Sequence, residues 1–300
     1  MILADLTPAE IKRRLTESGL RIRTGPFVTN VHSMLPLVGE GVQLHYANHP
    51  IEADDGFADF HVRITEARWL RRQVLFQFDE NKPFAPLPAD QAFPMLEWGM
   101  NWCISSHCHN YLIVHAAVLE RRGRALILPA PPGSGKSTLC AGLACRGWRL
   151  LSDELTLIDP ASDRILPVPR PISLKNASIE AITRFEPGVV IGRRVHDTQK
   201  GTVAHMRPAI DSVRRADEPA APGWIVLPRF VAGSAPRLTP LSKAKAFMQL
   251  ADNAFNYHLH GREGFDLIGR IIDASDCYEF SYGDLADAEH VFRQLAERAA

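Results

Sequence analysis

Cysteine is scarce in this chain: 5 in 300 residues, an odd number. That excludes a disulfide framework and points to a reducing compartment, read here as the cytoplasm. Neither sign of charge is in excess. Lys plus Arg total 34, Asp plus Glu total 34, and the formal net charge is +0. A chain without a global basic field is not built to coat nucleic acid. Long apolar runs are missing as well. The strongest, Tyr111–Leu119, is strand-length and holds His115. A membrane span needs about 18 residues, so no membrane partner is expected. An export signal is missing too. Thr7-Pro8-Ala9-Glu10 reads as a capped helix start, Ile11 and Leu15 share one face, and Gly19 ends the helix. Disorder is excluded by 46% hydrophobic and 23% charged residues.

What is present divides in two. The length allows one large domain or two ordinary ones of about 150 residues. Residues 20–80 alternate in the strand manner, with Asp59–Ile64 and Val74–Phe78 putting apolar side chains on one face at period two. Asp79–Lys82 reads as a turn, and Pro83, Pro86, Pro88 and Pro94 mark a connector. Residues 94–108 carry Met95, Trp98 and Trp102 at helical spacing. We therefore place a small, mainly antiparallel β-rich portion at 1–108. From 109 the pattern is βαβ, with a second domain at 109–300. Residues 214–222 read as a mobile loop, and helices are expected over 242–256, 263–273 and 284–298.

The sharpest feature is Ala130-Pro131-Pro132-Gly133-Ser134-Gly135-Lys136-Ser137-Thr138. It matches G-x-x-x-x-G-K-[ST], with Ala130 in place of the first glycine. An apolar strand runs into it and a helix leaves it. Gly133 and Gly135 permit the backbone turns that aim N–H groups at phosphate oxygens. The helix start adds its positive end. Residues Gly133, Ser134, Gly135, Lys136, Ser137 and Thr138 would hold ATP. Lys136 would reach the β- and γ-phosphates, and Ser137 would offer a hydroxyl to Mg²⁺. Pro131 and Pro132 have no N–H to give.

Asp153 and Glu154 follow 16 and 17 residues after Ser137. In a parallel sheet, the end of the strand that carries them would lie beside the loop. Paired acids there suit two jobs: holding Mg²⁺ and taking a proton from an attacking hydroxyl.

The loop, its helix and the acid-ended strand together resemble the HPr kinase/phosphorylase superfamily, which shares its core with phosphoenolpyruvate carboxykinase. The match spans roughly 111–158. It includes His115-Ala116-Ala117-Val118, the turn Arg121-Arg122-Gly123 and the strand Ala125–Leu128. Departures are Ala130, Pro132, Thr138 and Glu154, where that family usually has Gly, Ser, an acid and a second Asp. The chain is similar to divergent HPr kinase-related proteins. The resemblance implies an α/β P-loop core of HPr kinase/phosphoenolpyruvate carboxykinase type. It also implies Asp153 as base, Glu154 as Mg²⁺ ligand and His115 as a polar partner near Asp153.

Weaker groupings complete the reading. Gly201–Pro208 places His205 and Arg207 two apart in an extended run, so both face one way. Arg207 is a candidate to neutralise the transferring phosphoryl group, with His205 beside it. Arg170 and Lys175 form a basic loop. Cys103, Cys108, His107 and His109 lack a second ligand pair for zinc and read as buried small residues. The histidines of Tyr257–His260 read as polar helix-end residues.

The expected activity is ATP- and Mg²⁺-dependent transfer of the γ-phosphoryl group to a hydroxyl, a serine of a protein or peptide. An unperturbed Asp, with pKa ~3.9, is ionised at neutral pH as a base must be. A nucleotide hydrolase and a non-catalytic ATP-binding module are the alternatives. A homo-oligomer is compatible with the reading.

Overall fold

Thr7 starts the first helix, its Oγ1 accepting the Glu10 backbone N–H at 3.2 Å. Helix α1 (Pro8–Thr16) buries Ile11 and Leu15 on one face. Replacing the cap by Ala should cost about 1 kcal/mol. Urea unfolding of Thr7→Ala at unchanged m-value checks this.

The computed structural model describes residues 1–68, 72–131 and 133–298. Pro132, assigned to the phosphate loop above, lies outside the described residues. After α1 come β1 (Leu20–Thr24), β2 (Phe27–Ser33), α2 (Pro36–His45), β3 (Phe60–Arg68), β4 (Gln73–Phe78), β5 (Leu87–Pro88) and α3 (Ala92–His107). The sheet order is β1-β2-β3-β4-β5. Every neighbouring pair is antiparallel except β2 and β3. Two parallel neighbours need a crossover, and α2 supplies it.

The chain then runs β6 (Leu112–Arg121), β7 (Arg124–Pro129), α4 (Lys136–Ala144), β8 (Arg149–Ser152), β9 (Leu155–Asp159), β10 (Arg164–Leu166) and β11 (Ile172–Lys175). Next come α5 (Ala177–Phe185), β12 (Val195–Thr198), β13 (Gly201–Met206), α6 (Ile210–Arg214), β14 (Ala221–Phe230) and β15 (Arg237–Pro240). The last elements are α7 (Lys243–Asp252), α8 (Tyr257–Asp273), β16 (Asp276–Tyr282) and α9 (Leu285–Arg298).

The large sheet has the order β10-β9-β6-β7-β14-β16-β15, and β8 also pairs with β6. Strands β7, β14 and β16 are parallel. The sheet is mixed rather than parallel, because β6 is antiparallel to both β7 and β8. The inversion leaves β7 and β8 pointing the same way with β6 between them. Their carboxyl ends therefore emerge at one edge. A small sheet, β11-β13-β12, stands apart.

Three apolar cores hold these layers. The first joins the N-terminal sheet to its helices and takes in Ile113, Leu155, Leu157 and Val168. The second packs Trp148, Trp224, Phe280 and Phe292 between the large sheet and α4 and α9. The third buries Ile225, Leu267 and Ile271 under α8. The stretch 214–222 is tethered rather than mobile. Arg149 Nη1 donates to the carbonyls of Arg215 and Glu218 at 2.7 and 2.9 Å, and Ala220 bridges to Ile165. Among the described residues no helix is long and apolar enough to cross a membrane. All five cysteines are free.

Candidate active site

Strand β7 delivers the chain into the glycine loop, and α4 begins at Lys136. Gly133 and Gly135 hold φ of +84° and +91°, the region that side chains resist. Gly135 is further constrained: a Cβ there would meet the Tyr282 hydroxyl at 2.6 Å and Phe230 Cβ at 2.9 Å. Two parallel strands clamp the loop. Phe230 N–H of β14 donates to the Ser134 carbonyl at 2.9 Å, and Tyr282 Oη of β16 donates to the Gly135 carbonyl at 3.0 Å. With its carbonyls engaged on this side, the loop leaves the N–H groups at the start of α4 for an anion.

Lys136 is buried, yet its Nζ has no hydrogen-bond partner. Burial lowers its pKa, opposed by the charges of Asp153 and Glu154. A buried ammonium without a partner is strongly unfavourable. Ser134 Oγ is likewise without a partner. Beside the loop opens a cleft of about 840 Å³, lined by Gly133 and Ser134, by Arg229 and Phe230 of β14, by Arg237 of β15 and by Glu279 of β16. Its size suits a small organic ligand, and its place at the carboxyl ends of parallel strands is where such ligands bind.

The acids occupy the turn from β8 to β9, at the same sheet edge. Asp153 Oδ2 accepts the Ser173 N–H at 3.0 Å, while its buried Oδ1 has no partner. Burial pushes the Asp153 carboxyl up to about 6; the Glu154 charge adds to this, and Lys136 opposes it. The expectation of an unperturbed aspartate is corrected accordingly. Glu154 goes the other way. Burial would raise its pKa, but Lys175, Lys200, His115 and Lys136 outweigh that and lower it. Its Oε2 accepts from Asn101 Nδ2 at 2.7 Å, and Oε1 stands 3.9 Å from Lys175 Nζ.

A cavity of about 20 Å³, room for one water, adjoins the acid pair. Trp98 and Asn101 of α3, Arg170, Ser173 and His205 line it with the acids. His205 is buried with Nε2 unpaired, and burial drops its pKa to about 3, so its ring is neutral. Arg207 lies beyond the end of β13 and is not among the lining residues. The shared facing of His205 and Arg207 therefore does not bring both to the acids. His115 on β6 pairs with Leu155, next to Glu154. Burial and the Lys136 charge lower its pKa to about 4. Ser137 and Thr138 sit half-buried in the first turn of α4.

Among the described residues no group of three or more His, Cys, Asp and Glu could hold a metal ion. A hard cation here would take Glu154 Oε1 and the Ser137 hydroxyl, and would need further oxygens from a bound phosphate. Both side chains are oxygen donors of the kind Mg²⁺ takes, and the Glu154 carboxylate is kept ionised.

Sequence reasoning missed Trp98, Asn101 and Ser173. Trp98 was legible only as part of a helix stripe and Ser173 only as part of a basic loop, while Asn101 carried no signal at all. The zinc-like spacing of Cys103 and His107 resolves into packing. His107 Nδ1 pairs with the Cys103 carbonyl at 3.0 Å, and its ring lies 4.7 Å from that of Phe78. Neither a protein-family model nor a curated protein matches this chain.

Proposed function

We propose that the chain is an ATP- and Mg²⁺-dependent phosphotransferase of HPr kinase type, acting on the hydroxyl of a protein or peptide serine. The observation that carries this reading is the buried, partnerless amine of Lys136. It sits at the head of α4, on a glycine loop, at the sheet edge that also carries Asp153 and Glu154. Phosphate oxygens would supply the missing partner.

The geometry supports the following roles. The amides of Gly133 and of Gly135 to Thr138 bind the β- and γ-phosphates with the Lys136 amine, the Ser134 N–H being taken by the Pro131 carbonyl. Ser137 and Glu154 would hold Mg²⁺, which when bound neutralises charge on those phosphates. Asp153 Oδ1 has a free lone pair and a pKa of about 6, so it is largely ionised at neutral pH yet basic enough to take a proton. The acceptor oxygen bonds to the γ-phosphorus as the bond from that phosphorus to the β,γ-bridging oxygen breaks. The proton stays on Asp153, and ADP leaves. His115 and His205 are neutral and serve as hydrogen-bonding groups, not as cations. Arg207 remains a candidate for neutralising charge from outside the cavity.

A second reading is nucleotide hydrolysis. The cavity beside the acids has the room of one water, which favours it. Labelled γ-phosphate ATP tests both readings. Label on a serine-containing protein or peptide supports the kinase, and label released only as inorganic phosphate supports the hydrolase. ATP binding with no turnover would overturn both and leave a binding module.

A further inference from the structure

We infer that Asn101, on helix α3 of the N-terminal portion, is a positioning residue for Glu154. This rests on the reading of Glu154 as a Mg²⁺-binding carboxylate. The site would then be built from both portions of the chain, and α3 would set how it takes the cation.

The geometry is a linear chain of hydrogen bonds. Tyr46 Oη donates to Glu97 Oε1 at 2.6 Å. Arg170 Nη2 donates to Glu97 Oε2 at 2.7 Å and to the Glu97 carbonyl at 2.7 Å. Arg170 Nη1 donates to Asn101 Oδ1 at 2.9 Å. Asn101 Nδ2 then donates to Glu154 Oε2 at 2.7 Å. Glu97 and Arg170 are both buried, and Arg170 cannot lose its proton. The guanidinium therefore dictates the amide's direction. Turning the amide over would set donor against donor at Arg170 and acceptor against acceptor at Glu154. The amide in turn occupies Oε2 and leaves Oε1 as the oxygen without a hydrogen bond, facing Lys175 Nζ at 3.9 Å.

Groups that hold a metal ligand from behind fix its orientation and its electron density. Their loss typically costs 10- to 100-fold in metal affinity or activity. Asn101 and Glu97 are four apart, on one face of α3, so a single helix turn carries the anchor and the aimed group. A residue that merely held the two portions together would affect nucleotide binding with or without metal.

Calorimetry on the full chain separates these. ATP affinity is measured in EDTA and then across a Mg²⁺ series for wild type, Asn101→Leu, Asn101→Ser and Glu154→Gln. The expected result is metal-free ATP affinity within about 2-fold of wild type in both Asn101 variants. The Mg²⁺ concentration that half-saturates the metal-dependent gain should rise about 10-fold, toward the Glu154→Gln value. Asn101→Ser carries the test if the leucine variant does not fold. An unchanged Mg²⁺ requirement in a folded variant overturns the inference and leaves the proposed function standing. Equal losses with and without metal, or failure of both variants to fold, also overturn it. Wild type that gains nothing from Mg²⁺ removes this inference together with the metal role of Glu154.

Discussion

Asp153→Asn is expected to lower single-turnover phosphoryl transfer by about 10²- to 10⁴-fold, the usual effect of losing a general base. ATP affinity should change little, since in the proposed function the phosphates would rest on Lys136 and the loop amides. The substitution keeps the acceptor for the Ser173 N–H. It replaces the unpartnered oxygen by an amide NH2, removing both the charge and the basic lone pair. Wild-type rates in this variant would refute the base assignment. The pH profile gives an independent check. With the Asp153 carboxyl raised to about 6, the acid limb of turnover should fall near pH 6 rather than near 4. The same shift has a stability sign. A carboxyl whose folded pKa lies above its unfolded value of ~3.9 favours the fold fully below pH ~3.9 and loses that contribution as pH rises through about 6. Asp153→Asn should therefore unfold at higher denaturant than wild type at pH 8 and lose that advantage below pH 4. Activity and stability would move in opposite directions at one residue.

Lys136→Ala is expected to weaken ATP binding about 10- to 150-fold, from the loss of a charge-assisted contact worth roughly 1.5–3 kcal/mol. The fold should not suffer, because the amine makes no hydrogen bond and its burial outweighs the attraction of Asp153 and Glu154. Calorimetry against ATP, with thermal unfolding as the control, reads both. Unchanged affinity in a folded variant would remove the phosphate-loop assignment, and with it the proposed function.

The two cases differ in how they could be read from the chain. The loop around Lys136 was legible because its conformation is local. Gly133, Gly135 and Lys136 act through backbone conformation and a helix start, which depend on neighbours in sequence. The place of the two acids, just past the end of a short strand, was legible for the same reason. The pKa of Asp153 was not, because it depends on burial and on Glu154, Lys136 and Ser173 acting together. Asn101 was hidden more deeply. It meets Glu154 across 53 residues, and nothing local marks an Asn on a helix as aimed at a carboxylate. In the fold, alternation exposed β3 and β4, but Pro36–His45 was not read as a helix. That helix connects two parallel strands, and their pairing is a long-range fact.

The clamp on the glycine loop also bears on synthesis. Phe230 and Tyr282, which grip Ser134 and Gly135, are made long after the loop they hold. Strand β7 enters the large sheet beside β14, and β16 joins only through β14. A nascent chain that has reached α4 thus has the whole glycine motif but no walls around it. Domains of this kind fold as units once their elements are present. Nucleotide capture should therefore be absent from ribosome-bound chains until residues through 282 have emerged. The N-terminal sheet, whose strands are close in sequence, has no such wait for its hairpins. If the chain binds a nucleotide at this loop, capture would wait until the two clamping strands had joined the sheet.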